Sequence, residues 1–379
     1  MRGTVKKSGS SWYVQFDLGK DPQTGKRKQK KKRGFKTQKE AQKYLNEQLN
    51  AIHKGTFFEP KDITFSEYVD YWFENYAVSN TSQKTMEVYS YIIKQHLKPS
   101  LGHFKISKLL PSHLQEYYSK KLKDGKIEGG GLSAQSVKHH HRLISKVLKD
   151  AVKWEFLTRN VAESVEPPKT KKTEMHTWDS YEVKTFLYSS RTSTYYWVYL
   201  TAIYTGMRRG EILGLRWQDV DFENHIIYVR QTMQPIINQG LTFKEPKSGK
   251  GRSITITPFL TKELKKLYKK QLENKLSFGS SYQDQGLVFS QVNGNPLQPS
   301  EVSKKFLKAI EAANLHRIRF HDLRHTHATL MLQQGVHPKV VSERLGHSTI
   351  SITLDIYSHV LPNMQKEAAN QFDQLLDSL

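Results

Sequence analysis

The chain has 379 residues, enough for two or three domains, and its 37% hydrophobic and 11% aromatic residues suffice for ordinary cores. A formal net charge of +23 and a pI near 9.7 point to a polyanionic partner, most simply nucleic acid. The lack of cysteine excludes disulfides, a thiol nucleophile and thiolate metal sites, and fits a reducing compartment. No stretch approaches eighteen consecutive apolar residues, and the opening MRGTVKKSGSSWYV has no apolar h-region, so neither a membrane span nor a secretory signal is expected.

Residues 1–56 carry 15 Lys and Arg against 4 Asp and Glu, about half of the net charge. Ser11–Leu18 (SWYVQFDL) alternates like a strand, and Pro22 and Gly25 mark a turn. Lys26–Arg33 (KRKQKKKR) reads as a second, very basic strand. Thr37 is the expected N-cap of a helix, with Glu40 completing a capping box. Ala41, Tyr44, Leu45, Leu49 and Ile52 then fall on one helical face. A charge run alone usually marks a solvated tail. Here it is interleaved with strand and helix signals, which favours a small β-sheet backed by one helix. Lys26, Arg27, Lys28, Lys30, Lys31, Lys32 and Arg33 are its candidate DNA contacts.

Residues 57–168 read as helices with short links. Thr64 caps FSEYVDYWFENYA, and Thr81 or Ser82 starts QKTMEVYSYIIKQHL. Pro111 and Ser112 open the third helix, and Ser133 starts a long fourth one running to Leu157. Basic residues on these helices, Lys138 and Arg142 among them, would track phosphates. His139–His140–His141 is not a metal site, because consecutive helix positions face different ways. Asn160–Lys172, with two prolines and a charged run, reads as a linker. A further domain is expected from Thr173 to the end of the chain.

In that domain TAIYTGMRRGEILGLRW (Thr201–Trp217) holds a helix interrupted at Gly206 and resumed by Glu211 and Ile212. His225–Gln231 and Leu241–Thr257 have β-character, split around PKSGKGR. Asp219 and Asp221 lack a third ligand and read as turn residues. Leu287–Phe289 makes a short strand and Ser300–Asn314 a helix. From His321 the chain reads HDLRHTHATLMLQQGVHPKVVSERLGHSTISITLDIYSH. His321 and Arg324 share a helical face. Gly335 ends that helix, Pro338 opens the next, and Gly346 ends it. His347 follows at once and Tyr357 lies ten positions on. Three short helices can thus bring two histidines, an arginine and a tyrosine to one point. Arginine forks and imidazoles suit a phosphate, and a tyrosine beside them could attack it.

The joint pattern of H-x-x-R, then L-G-H, then Tyr resembles the carboxy-terminal signature of the tyrosine recombinases, the phage and conjugative-transposon integrase family. TGMRRGEI is similar to the family's T-G-x-R-x-x-E/D-[IL] box. The resemblance implies Arg208, Lys247, His321, Arg324 and His347 as catalytic residues and Tyr357 as nucleophile, with Glu211 one turn from Arg208 to orient it. Arg209 and Arg216 stay outside the site. Lys247 precedes a serine in the β-hairpin, with Lys244 and Lys250 as competitors. His321 would handle the tyrosine proton.

By the same resemblance the fold is α+β and multidomain. An arm-type DNA-binding domain of small β-sheet plus helix spans 1–56, an all-α core-binding domain spans 57–168, and a mainly α catalytic domain with a small β-sheet and hairpin spans 173–379. The implied activity is site-specific DNA strand exchange through a covalent 3′-phosphotyrosyl enzyme, integrating and excising a mobile element or prophage. It needs no cofactor and no metal. The implied partners are double-stranded DNA at core and arm sites and three further copies of the chain. A small directionality factor and a host DNA-bending protein are further partners of the same kind, and no membrane is involved. The expected location is the cytoplasm of a bacterial host. The amphipathic tail after Tyr357 (Met364, Ala368, Phe372, Leu375, Leu376) is expected to pack on a neighbouring protomer. Two alternatives share parts of this pattern: a type IB topoisomerase and a non-catalytic DNA-binding regulator.

Overall fold

The computed structural model describes residues 3–20, 25, 27–53, 62–170, 176–245 and 251–357, with five positions beyond 369. Lys26, Lys247 and Lys250, and the tail apart from those five positions, lie outside the described residues. The chain divides into two compact units, Met1–Lys171 and Lys172–Leu379. No helix among the described residues is long and apolar enough to cross a membrane. The architecture is helix-rich with small antiparallel sheets, the class expected from the sequence.

The first unit opens with an antiparallel sheet of β1 (Gly3–Ser8), β2 (Ser11–Lys20) and β3 (Arg27–Phe35), in that order. β1 has no counterpart in the sequence reading. Its GTVKKS offers one large apolar residue, Val5, which pairs with Val14 across a turn carrying Gly9 at φ 60°. Helix α1 (Gln38–His53) covers the face of Val14 and Phe16 with Ala41 and Leu45. The cap is a variant of the expected one. Glu40 N–H donates to Thr37 Oγ1 at 3.2 Å, while the Glu40 carboxylate accepts from Lys36 N–H at 3.1 Å.

Directly opposed residues share a face of a sheet. Lys6 and Arg33 oppose Tyr13, and Lys31 opposes Gln15, so these cations stand on the face away from α1. Lys31 Nζ lies 4.0 Å from the centre of the Tyr13 ring. Lys32, opposite Val14, reaches over Tyr44 of α1 at 4.1 Å instead. Arg27 is tied to Asp17 at 2.6 Å. The basic strand is therefore folded into the sheet and is not a loose tail.

The helical part of this unit runs as follows. Helix α2 (Phe65–Trp72) is capped by Thr64 and Glu67 and continues through a π-helical turn into α3 (Val78–Asn80). Helix α4 (Gln83–Ile92), capped by Ser82, continues through a second π turn into α5 (Lys98–Leu101). Helices α6 (Pro111–Lys123) and α7 (Ala134–Lys153) complete the cluster. Phe65, Tyr68, Val69, Trp72, Leu97, Leu114, Ile144 and Val147 form its core. The interior α7 residue Asp150, 3% exposed, accepts from Trp72 Nε1 at 2.8 Å and pairs with Lys146 at 2.7 Å.

The fourth helix ends earlier than expected, at Lys153, because Glu155 turns to φ 57° and lets Phe156 and Leu157 pack inward. The start of the expected linker is also packed. Asn160 caps a short 3-10 turn whose Val161 and Ala162, with Val165 after it, join the helical core. Apolar burial of this kind, roughly 1.5–3 kcal/mol per large side chain, outweighs the looseness that two following prolines suggest.

The second unit begins with α8 (Ser180–Ser189), α9 (Tyr196–Thr205) and the short α10 (Arg209–Leu213). Strands β4 (Val220–Asp221), β5 (Ile226–Val229) and β8 (Arg252–Thr255) form one sheet; β6 (Thr232–Ile236) and β7 (Gly240–Lys244) form a hairpin. Then come α11 (Pro258–Phe278), α12 (Pro299–Ala312), α13 (Asp322–Gln333), α14 (Pro338–Leu345) and α15 (Ile350–Tyr357). The last three are the short helices that the glycines and proline foretell. Helices α8 and α11 and strand β6 were not anticipated. Asp221 does sit in a turn, accepting from the N–H groups of Glu223 and Asn224 at 3.0 and 2.9 Å. Asp219 is instead a buried partner of Arg216 at 2.7 Å.

Candidate active site

The site is built where two chain reversals meet the start of α13. Helix α9 ends at Gly206, whose φ of 64° suits glycine. A Cβ there would meet Leu345 Cδ2 at 2.6 Å and His327 Cδ2 at 2.7 Å, so α13 and α14 approach as closely as a bare backbone permits. Gly346 does the same for α14. It has φ 68°, and a Cβ would meet Arg252 Cδ at 2.9 Å. These two glycines bring the Arg208 loop, the start of α13 and His347 together.

Arg208 caps α10. Its backbone N–H donates to Glu211 Oε2 at 2.9 Å, its Nη1 to Glu211 Oε1 at 2.8 Å, and its Nη2 to the Gly346 carbonyl at 3.2 Å. Arg252 of β8 grips the same carboxylate with two bonds of 3.0 and 2.7 Å, and its Nε donates to the Arg344 carbonyl at 2.9 Å. Glu211 is 2% exposed. Burial alone would raise its pKa, but hydrogen bonds and charge from Arg252 and Arg208 bring it down to about 2. A carboxylate so held fixes both forks, each in one orientation.

Arg324 is 4% exposed, and its Nη1 donates to the Gly206 carbonyl at 2.9 Å. Its Nη2 is buried and has no hydrogen-bond partner among the described residues. Burial, then the neighbouring Arg208, pushes its pKa down to about 9. A buried guanidinium with an unmatched donor beside a second guanidinium is a site that an anionic oxygen would satisfy. Arg344 braces the same region, donating to His327 Nε2 at 3.1 Å, to Thr255 O at 2.7 Å and to Tyr204 O at 2.9 Å.

His321 precedes α13 and keeps an exposed edge; loss of solvation, then His325 and Arg324, bring it down to about 4. His347 is half-buried, bonds through Nδ1 to Thr353 Oγ1 at 2.8 Å, and is likewise brought to about 4 by burial and then Arg324. Both rings are therefore neutral near pH 7. Tyr357, at the end of α15, is 1% exposed, and burial raises its hydroxyl to about 12 although Arg324 opposes this. Its hydroxyl bonds to His325 Nδ1 at 2.7 Å rather than to His321.

Arg208, Glu211, Arg324, His321, His347 and Tyr357 are thus brought into one unit. Arg209 turns away to hydrogen-bond Ser303 of α12. Two neighbours escaped the sequence reading. His325 directly follows Arg324, and Arg252 stands in the β-segment after PKSGKG; both were visible, but neither spacing announces a role. Among the described residues no group of three or more His, Asp or Glu is placed to hold a metal ion. In the helical cluster the three consecutive histidines have three different partners, Gln135, Tyr117 and Tyr118. Lys138 and Arg142 lie one turn apart on α7, the latter exposed.

Residues 178–364 match the phage integrase family, 4–52 an arm DNA-binding domain, and 64–122 a phage integrase N-terminal SAM-like domain. A XerC-like tyrosine recombinase of Caldanaerobacter subterraneus subsp. tengcongensis is 30% identical, covering 97% of each chain. The ICEBs1 integrase of Bacillus subtilis is 26% identical over 98% of this chain and 100% of its own. The integrase of Staphylococcus phage L54a is 28% identical over 84% and 95%. Among solved structures, the Tn1549 transposon integrase in complex with transposon right end DNA superposes with a TM-score of 0.69 at 19% identity, over 82% of this chain and all of its own. A lambda integrase tetramer bound to a Holliday junction gives 0.54 at 17% identity, over 91% and 95%. At these identities the structural likeness is one of fold.

Proposed function

This chain belongs to the phage integrase family of tyrosine recombinases, and from that premise we propose that it is a site-specific DNA recombinase that integrates and excises a mobile element. Tyr357 attacks the scissile phosphate, forming a 3′-phosphotyrosyl bond and releasing a 5′-hydroxyl. Negative charge grows on the non-bridging oxygens during attack, and preorganised donors offset it. Arg208 and Arg324 supply these as forks, and His347 adds a donor. Lys247 protonates the leaving oxygen, and His321 shares the acid–base work at the pocket edge. The bond energy is kept in the covalent link, so ATP is not consumed. The 5′-hydroxyl of a partner strand reverses the step, and two such exchanges join four protomers to two DNA sites.

Residues 173–379 act as the catalytic domain, 57–168 as the core-binding domain and 1–56 as the arm-binding domain. The open face of the first sheet, with Lys6, Lys31 and Arg33, would enter a groove, while Lys138 and Arg142 would contact phosphates.

The observation that carries this reading is the buried, half-unpaired Arg324 beside the clamped Arg208 in the unit that holds Tyr357. The experiment is covalent trapping on nicked DNA bearing the element's ends, with EDTA present. Wild type should give an SDS-resistant adduct and Tyr357→Phe none, with DNA binding kept. An adduct from the phenylalanine variant would remove Tyr357 as nucleophile.

A further inference from the structure

We propose that His325 is the group that receives the hydroxyl proton of Tyr357, making it a catalytic residue of cleavage and religation. The proposal rests on the reading of Tyr357 as nucleophile.

Three imidazoles surround the phosphate pocket, and the structure distinguishes them. His347 uses its Nδ1 on Thr353, 2.8 Å away. His321 makes no hydrogen bond to Tyr357; its ring meets that of His325 edge-on, with centroids 5.4 Å apart. Only His325, among these three, touches the phenol, at 2.7 Å from Nδ1 to the hydroxyl oxygen. Tyr357 is 1% exposed, so bulk water is a poor alternative acceptor. His325 directly follows Arg324 on α13, about 100° further round the helix. One helix thus carries a phosphate clamp and a proton acceptor on adjoining faces, and α15 brings the tyrosine to the second.

The ring suits the task in charge as well as in place. The charged and titratable neighbours of His325 are Asp322, Arg324 and His321 on or beside α13, Arg319 before it, His347 after α14, and Tyr357 on α15. Burial is the main reason its pKa lies below the ordinary value, so the ring is neutral near pH 7. A neutral imidazole protonated at Nε2 presents a lone pair at Nδ1, and the phenol donates to it. In the forward step the O–H bond breaks and its proton goes to Nδ1. The phenolate electron pair forms the O–P bond, and the P–O5′ bond breaks, its oxygen taking a proton from a separate acid. In religation the 5′-hydroxyl gives its proton back to the conjugate base of that acid and attacks phosphorus, the P–O bond to Tyr357 breaks, and the His325 imidazolium returns the proton to the phenolate. The imidazolium formed between these steps adds a positive charge near the phosphoryl group.

The test follows adduct formation in single turnover by wild type, His325→Ala, His325→Gln and Tyr357→Phe, from about pH 6 to about pH 10, from the ordinary histidine range upward toward the raised hydroxyl of Tyr357. The expected result for His325→Ala is wild-type DNA binding with adduct formation on the order of a hundredfold slower at neutral pH. The deficit should shrink as rising pH ionises the phenol, and added imidazole should restore part of the rate. A wild-type rate at all pH values would overturn the proposal. So would a loss equal at every pH and unaffected by imidazole, which would mark a packing role.

If wild type itself gives no adduct, the recombinase reading fails. If the adduct is lost only with Tyr357→Phe, that reading stands and His325 alone is dismissed. Ring-nitrogen NMR tests the contact without activity. The Nδ1 signal that disappears in His325→Gln should move in Tyr357→Phe, and an unmoved signal would overturn the proposal even were the alanine variant unfolded.

Discussion

Two parts of the molecule hold the same pair of groups in different surroundings. In the helical cluster Tyr117 bonds to His140 Nδ1 at 2.8 Å and Tyr118 to His141 Nδ1 at 2.9 Å. In the second unit Tyr357 bonds to His325 Nδ1 at 2.7 Å. All three hydroxyls are raised by burial, and all three histidines are lowered by it. Only Tyr357 has a guanidinium whose charge pulls its pKa back down. Near Tyr117 the available cation is Lys121, a point charge 5.6 Å from the ring centre. A buried Tyr–His pair is therefore an ordinary way to satisfy two polar groups. What sets the Tyr357 pair apart is the adjacent fork with an unmatched donor, and the catalytic role proposed for it rests on that difference.

The most severe way to break this contrast is to remove the fork. Arg324→Ala should slow adduct formation on the order of a thousandfold, the upper range for losing one transition-state donor, while DNA binding survives. Arg208→Lys should lose on the order of a hundredfold, since an ammonium cannot make the same two bonds. Single-turnover trapping reads both. An Arg324→Ala enzyme within tenfold of wild type would mean that the Tyr–His pair suffices and the contrast is empty.

The next test concerns what holds the forks. Glu211→Ala leaves Arg208 and Arg252 facing each other without a counter-charge. It should destabilise the protein by about 3–5 kcal/mol, the usual cost of halving a buried ion pair. Denaturant midpoints would show it. A loss below about 1 kcal/mol would reduce the pair to a surface-like contact. The Glu211 carboxyl has its pKa lowered to about 2. Its stabilisation is thus complete above the ordinary carboxylate range and fades as pH falls from there toward about 2.

Much of this site is legible in the sequence. Gly206, Gly335, Pro338 and Gly346 punctuate the chain so strongly that the short helices around Arg208, Arg324 and Tyr357 follow from them. The sheet and helix that open the first unit were legible from their capping box and alternation, except for β1, whose sequence is too polar to announce a strand. Helix α11 was missed although it runs from Pro258 to Phe278 under a Thr257 cap. Its lysines crowd the sequence and hide the buried Leu260, Leu264 and Leu267. The partner of Tyr357 was not legible at all. His325 and His321 stand in the same H-x-x-R-H string, and only the angle at which α15 meets α13 distinguishes them.

Acid gives a finer test. His327 is 7% exposed; Arg344 donates to its Nε2, so Nδ1 carries the proton and donates to the Ile203 carbonyl at 2.8 Å. Burial, then Arg344, pushes it down to about 3. The unfolded chain therefore takes up this proton first as pH falls below about 6.5, and the folded state loses about 1.4 kcal/mol per pH unit on the way to about 3. His327→Gln should flatten the decline in thermal stability below pH 6.5. An unchanged slope would assign the acid sensitivity elsewhere, first to His140, which burial brings to about 4.

The smallest effect sharpens the contrast from its inert side. Tyr117→Phe keeps the ring and its packing but removes the hydroxyl from His140. The histidine loses one hydrogen bond, a change of about 1 kcal/mol in stability, and strand cleavage should proceed at the wild-type rate. Tyr357→Phe makes the same atomic change beside Arg324 and should end cleavage altogether. Measuring both variants by melting and by trapping separates the two uses of one chemical pair. If Tyr117→Phe were also to slow cleavage while still binding DNA, the helical cluster would be coupled to the chemistry. The division drawn between the two regions would then have to be abandoned.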